Sequence, residues 1–134
     1  MAHIYKNSKV DLTTTDDTSL YVVPEDTTSI IKSILVSNDD TSNASHVTVT
    51  LLNTANDVFS LFKQKNITAK TTEELLTSPL VMNTDEDLKF QAENANDLHV
   101  VISYLEITWQ NLYLYLLKIS KKFFLCVKIL LIKH

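Results

Sequence analysis

From Ile4 to Thr108, short apolar runs recur about every 8–12 residues, each closed by a cluster of Asp, Asn, Ser or Thr, and that spacing is characteristic of short strands that turn back on one another. Runs begin near Ile4, Val10, Leu20, Ile30, Val47, Val58, Leu75, Leu88 and Leu98. Two of them alternate cleanly: in HVTVTLLN, Val47, Val49 and Leu51 oppose Thr48 and Thr50, and in DLKFQAE, Leu88, Phe90 and Ala92 oppose Lys89, Gln91 and Glu93. SIIKSILVS and LHVVISYLEI are apolar on both faces, as in strands central to a two-layer packing or partly covered by a partner. Pro24 and Pro79 fall at strand ends, where a missing N–H harms no ladder. The stretch Thr18–Asp39 therefore reads as strand Leu20–Val23, a turn at Pro24-Glu25-Asp26, and strand Ile30–Ser37. The expected fold is all-β, an antiparallel β-sandwich of jelly-roll or Ig-like type. Its expected core contains Val10, Leu20, Val22, Ile34, Val36, Val47, Val49, Leu51, Leu88, Phe90, Val100 and Ile102.

Turns without glycine are the main difficulty for such a fold, and this chain has none. Asn and Asp tolerate the left-handed backbone region, so NDDTSN and ENAND are the expected stand-ins. The same absence excludes a phosphate-binding P-loop, a GxGxxG dinucleotide turn and a GxSxG elbow, each of which needs a position where a Cβ would clash. Arginine is absent too, so nothing can clamp a phosphate in two parallel hydrogen bonds. With a net charge of −4, nucleic acid is not an expected partner.

The charge is unevenly placed. Residues 1–108 carry 7 lysines against 16 acids, while residues 109–134 carry 5 lysines and no acid, so the −4 divides into −9 and +5. We accordingly divide the chain into a β-sandwich domain, 1–108, and a C-terminal extension, 109–134. At helical spacing Trp109, Leu112, Tyr113, Leu116, Phe123, Val127, Leu130 and Leu131 gather to one side, interrupted by Ser120, with Lys118, Lys121, Lys122 and Lys128 towards another. Lysines at mid-bilayer cost roughly 3 kcal/mol each, so a membrane span is not expected. The extension reads either as an amphipathic, basic helix or as a non-native tail read past the natural end of the gene. The helix would pack on its own acidic sandwich, a neighbouring subunit or a membrane surface.

No residue set spells out a reaction, and no enzyme activity, cofactor or metal is expected. Asp39, Asp40 and Asn43 in one loop and Asp85, Glu86 and Asp87 in another offer oxygen ligands, but the first lacks EF-hand spacing and the second places its acids consecutively, so solvated turns are expected. His46 and His99 fall on strands, too few for a zinc site without a nearby thiol. The lone Cys126 sits between Leu125 and Val127 with nothing to activate it. The pairs Phe59/Phe62 and Phe123/Phe124 could be read as base-stacking platforms, but basic residues are sparse around the first pair and arginine is absent, and core packing is expected for Phe59 and Phe62. The N-terminus has no apolar signal core, so the sequons at Asn43 and Asn66 read as ordinary polar turns.

The run KVDLTTTDDTSLYVVPEDTTSIIKSILVSNDD, followed by HVTVTLL, VFSLFK, ELLTSPLVM, DLKFQA and NDLHVVISYLEI, resembles small virion structural proteins of tailed bacteriophages, marine ones especially. The likeness spans about residues 1–107, with the LYVVP strand end and the IKSILVSN strand its most specific parts. This sequence differs from the pattern in lacking turn glycines and in continuing past Ile107. The resemblance implies a β-sandwich or jelly-roll-like subunit, made in the host cytoplasm, that assembles on the virion at head, neck or tail with copies of itself and other virion proteins, without enzymatic activity. The alternative is a carbohydrate- or receptor-binding sandwich that meets a host-surface glycan. Tyr21 and Tyr104 are its only candidate aromatics, both in apolar strands.

Overall fold

The computed structural model describes residues 2–108, and among these there are nine strands and no helix. The strands are β1 Ala2–Asp11, β2 Thr18–Val22, β3 Thr27–Asn38, β4 Ser45–Leu52, β5 Val58–Ile67, β6 Thr72–Glu74, β7 Leu80–Met82, β8 Asp87–Ala92 and β9 Leu98–Thr108. One sheet runs β1-β9-β3, with β6 and β7 sharing the far edge of β3, and the other runs β2-β8-β4-β5. The extension assigned to residues 109–134, with Cys126, Phe123 and Phe124, lies outside the described residues.

The pairing is nested. β1 pairs β9, β2 pairs β8, β3 pairs β6 and β7, and β4 pairs β5, all antiparallel. First with last and second with next-to-last is what results when one long hairpin is rolled up until β3 also meets β9 and β4 also meets β8. That double Greek key is a jelly roll, which decides between the two sandwich types that the strand spacing allowed.

The two doubly apolar runs became β3 and β9, the central strands of the first sheet, and the two cleanly alternating runs became β4 and β8, the central strands of the second. Ile34, Val36, Val47, Val49, Leu88, Phe90, Val100 and Ile102 are buried, and Val10, Leu20 and Leu51 pack against them part-covered. Val22 is not core: it is 50% exposed, while Tyr21 and Val23 point inward. The cause is a bulge. Ser19 faces Lys89 and Tyr21 faces Leu88, so Leu20 is an extra residue that shifts the alternation of β2 by one. The Ile4 and Val10 runs form a single strand. Leu75 follows β6 rather than opening a strand, and its N–H donates to the Ile34 carbonyl at 2.9 Å.

Six residues adopt the left-handed region: Asp26, Asn56, Gln64, Lys70, Asp85 and Asn96. Four are the Asp and Asn that the absence of glycine calls for, Asn96 lying within ENAND. Gln64 sits in the β4/β5 bulge, where its N–H donates to Thr48 Oγ1, and the Lys70 N–H is held by the Asp40 carbonyl. NDDTSN uses no left-handed residue. There the buried Asn38 side chain donates to the Asn43 and Ile67 carbonyls, and its Oδ1 accepts from the Asp40 N–H.

Candidate interaction surface

In an antiparallel ladder, residues directly opposite one another share a face. Register therefore lays out the outer face of the first sheet as rows. Tyr5 faces Leu105, Leu105 faces Ile30 and Ile30 faces Val81, which makes one apolar row across all four positions of the sheet. His3, Ile107 and Thr28 form the row beside it, and Lys9, Val101, Leu35 and Glu74 lie beyond the polar row Asn7, Ser103, Ser33. Tyr5 is 75% exposed and Val81 is 55% exposed, where a sheet face turned to water would ordinarily carry polar side chains. The outer face of the second sheet is mixed: Ser19, Lys89, Thr50 and Ser60 form a polar row, and beside it Val22, 50% exposed, and Val58, 62% exposed, end a row broken by Asp87.

Inside the sandwich, β1, β2, β3 and β9 bring together a polar cluster. Glu106 is 5% exposed; its Oε1 lies 2.6 Å from Lys6 Nζ, and its Oε2 accepts from the Tyr21 hydroxyl at 2.6 Å. Ser29 hydrogen-bonds the same Tyr21 oxygen. The Tyr21 and Tyr104 rings lie 4.2 Å apart, and the Tyr104 hydroxyl pairs with Ser8 Oγ at 2.9 Å. Burial pushes the Glu106 carboxyl up, but the ammonium of Lys6 and the Tyr21 hydroxyl outweigh it and hold the group below its ordinary range. The Tyr21 hydroxyl is pushed well above its ordinary value, first by burial and then by the neighbouring carboxylate, and the hydrogen bond to Glu106 raises the Lys6 ammonium. Every charge in this cluster is answered internally, so it locks strands together and presents nothing to a ligand. One signal in the sequence marks it: Glu106 is in phase with Val100, Ile102 and Tyr104 on a strand otherwise apolar on that face.

The other candidate residues are scattered. Asp40 Oδ1 accepts from the N–H groups of Ser42 and Asn43, both at 2.8 Å, and these bonds lower its pKa. Asp85 forms a left-handed turn, Glu86 accepts from the Asn83 N–H at 2.6 Å, and Asp87 accepts from Ser19 Oγ at 2.5 Å, so the three acids diverge. Among the described residues no three His, Cys, Asp or Glu side chains are grouped to hold a metal ion. His46 on β4 pairs with Glu93 at 2.7 Å and His99 on β9 lies 3.5 Å from Asp11, so the two histidines belong to different sheets. Phe62 packs on the core, but Phe59, expected there too, is 53% exposed, because it faces Leu51 on the edge strand β5, where the ladder of the second sheet ends. Tyr21 and Tyr104 are buried in the polar cluster and offer no aromatic platform to a sugar. Thr15, His46, Thr48, Gln64, Gln91 and Glu93 line an open polar groove on the second sheet.

The nested pairing and the two facing sheets define a jelly-roll β-sandwich. Two solved structures of infectious bursal disease virus, from the Gx and Gt strains, are similar to the chain at 12% identity, with TM-scores of 0.42 and 0.39. The matches take in 81% and 83% of this chain and 30% and 32% of theirs, so it spans about a third of the length of the chains it matches. No family model and no curated protein matches it.

Proposed function

We propose that this protein is a non-enzymatic structural subunit of a tailed-phage virion, serving as a capsid decoration, neck or tail component and acting by assembly with copies of itself and other virion proteins. It is made in the host cytoplasm and uses no cofactor, metal or nucleic acid. The observation that carries this reading is the apolar row Tyr5, Leu105, Ile30, Val81, exposed at both ends on a face with no described cover. The jelly roll is a fold that coat and lectin domains both use, and the resemblance of residues 1–107 to phage virion proteins favours the first. Sedimentation of the purified protein is expected to show an oligomer, and mass spectrometry of purified particles is expected to find the chain. A clean monomer missing from particles would defeat the assembly reading.

A second reading, a glycan-binding module, draws on the polar groove lined by Gln64, Gln91 and Glu93, with no Phe, Trp or Tyr among the lining residues. Saturation-transfer NMR with host-surface polysaccharide would favour it if signal transfers to the glycan and is lost in Gln91→Ala. In either reading the described strands fold without the extension. A chain ending at Thr108 is expected to stay soluble, β-rich by circular dichroism and cooperative in denaturant, and aggregation would move the domain boundary.

A further inference from the structure

β1 is the terminal strand of its sheet, and among the described residues its outer backbone edge, ten residues long, pairs with nothing. Such an edge is a template for another strand, and lysines commonly guard it. β1 carries two, Lys6 and Lys9, but Lys6 is already turned onto Glu106 at 2.6 Å. The guard is therefore reduced to Lys9. We propose that two copies of this chain join antiparallel along β1, about a two-fold axis through Asn7, to make one continuous sheet.

Symmetry and charge select the register. A two-fold axis normal to the sheet keeps both outer faces on one side, so odd residues of β1 meet odd residues and even meet even. Centring on Asn7 pairs residues 3–11 of each copy. It sets Tyr5 against Lys9, Asp11 against His3, Ile4 against Val10 and Lys6 against Ser8 of the other copy. The remaining lysine then lies beside an exposed aromatic ring that attracts cations, the acid faces an imidazole, and Ile4, exposed on the inner face, gains an apolar neighbour. Centring on Lys6 would instead set that lysine directly against its own copy, and like charges directly opposite are unfavourable. Centring on Ser8 shortens the ladder and leaves Lys6 against Val10. The strand is thus self-complementary in one register.

This pairing deepens the assembly reading and rests on it, so the test has to separate the two. Sedimentation equilibrium of the full chain is expected to show a dimer. Tyr5→Lys sets lysine against Lys9 twice per dimer at a site exposed enough to leave folding intact, and it is expected to weaken dimerisation by about tenfold or more. Adding Lys9→Glu to that variant is expected to restore the dimer. Val81→Lys, at the far end of the same apolar row, spares the β1 edge and is expected to leave the dimer unchanged. An oligomer that survives Tyr5→Lys, or dissociates with Val81→Lys, overturns β1 pairing but keeps association through another surface. Failure of the double variant to recover overturns the register, and a monomeric wild-type protein overturns both the pairing and self-association.

Discussion

Replacing Phe90 by alanine is expected to cost about 3–5 kcal/mol of folding free energy. Among the described residues Phe90 is the largest fully buried side chain, and it lies on β8 between Thr18 and Val49, in the middle of the second sheet. Its neighbours are held in ladders on both sides, so the sheet cannot close over the space left. Against a domain stability of roughly 5–15 kcal/mol, the loss is a large fraction of the whole. Urea denaturation is expected to show a lower midpoint with an unchanged slope. A midpoint that does not move would place Phe90 outside the core.

Lys6→Met is expected to lower the folding stability at neutral pH, because it removes the cation that answers a buried carboxylate. The pH dependence separates this cause from lost packing. In the native protein the Glu106 pKa is lowered from 4.5, so its contribution is present above that value and is lost as the pH falls through the lower folded-state pKa. Without Lys6, burial dominates and the folded-state pKa rises above 4.5, so stability instead falls as the pH climbs through the raised value. Denaturant melts of the two proteins are therefore expected to differ most near neutrality and to converge as the pH drops to about 4 and below. A gap that is constant with pH would show that Lys6 acts only through its aliphatic stem.

What was legible in the sequence was whatever depends on local alternation. HVTVTLL and DLKFQA carry the period of two without interruption, so Val47, Val49, Leu88 and Phe90 could be assigned to the core before any pairing was known. Val22 was wrongly assigned to the core, because the bulge at Leu20 is a relation between β2 and β8 and leaves no mark within TSLYV. Phe59 was misread for a similar reason: its alternation is sound, but β5 is an edge, and whether a face is covered there depends on the opposite sheet. The Lys6–Glu106–Tyr21 cluster joins residues as many as 100 positions apart. Only the acid at an inward position of β9 announced it.

The place of β9 between β1 and β3 also fixes when this molecule can come into being. Synthesis proceeds at about 5–20 residues per second, and the strand that β1 and β3 both await is the last of the nine to be made. Until Leu98–Thr108 has left the ribosome, the first sheet lacks its middle, Glu106 is not there to hold Lys6, and β1 has no neighbour to flatten it into a ladder. Closure joins Ala2 to Thr108, among the most distant contacts a domain of this size allows, and such topologies fold slowly. Until then the outer edge of β1 has no ladder behind it, so the order of the strands would delay the pairing proposed for that edge until the first sheet is whole.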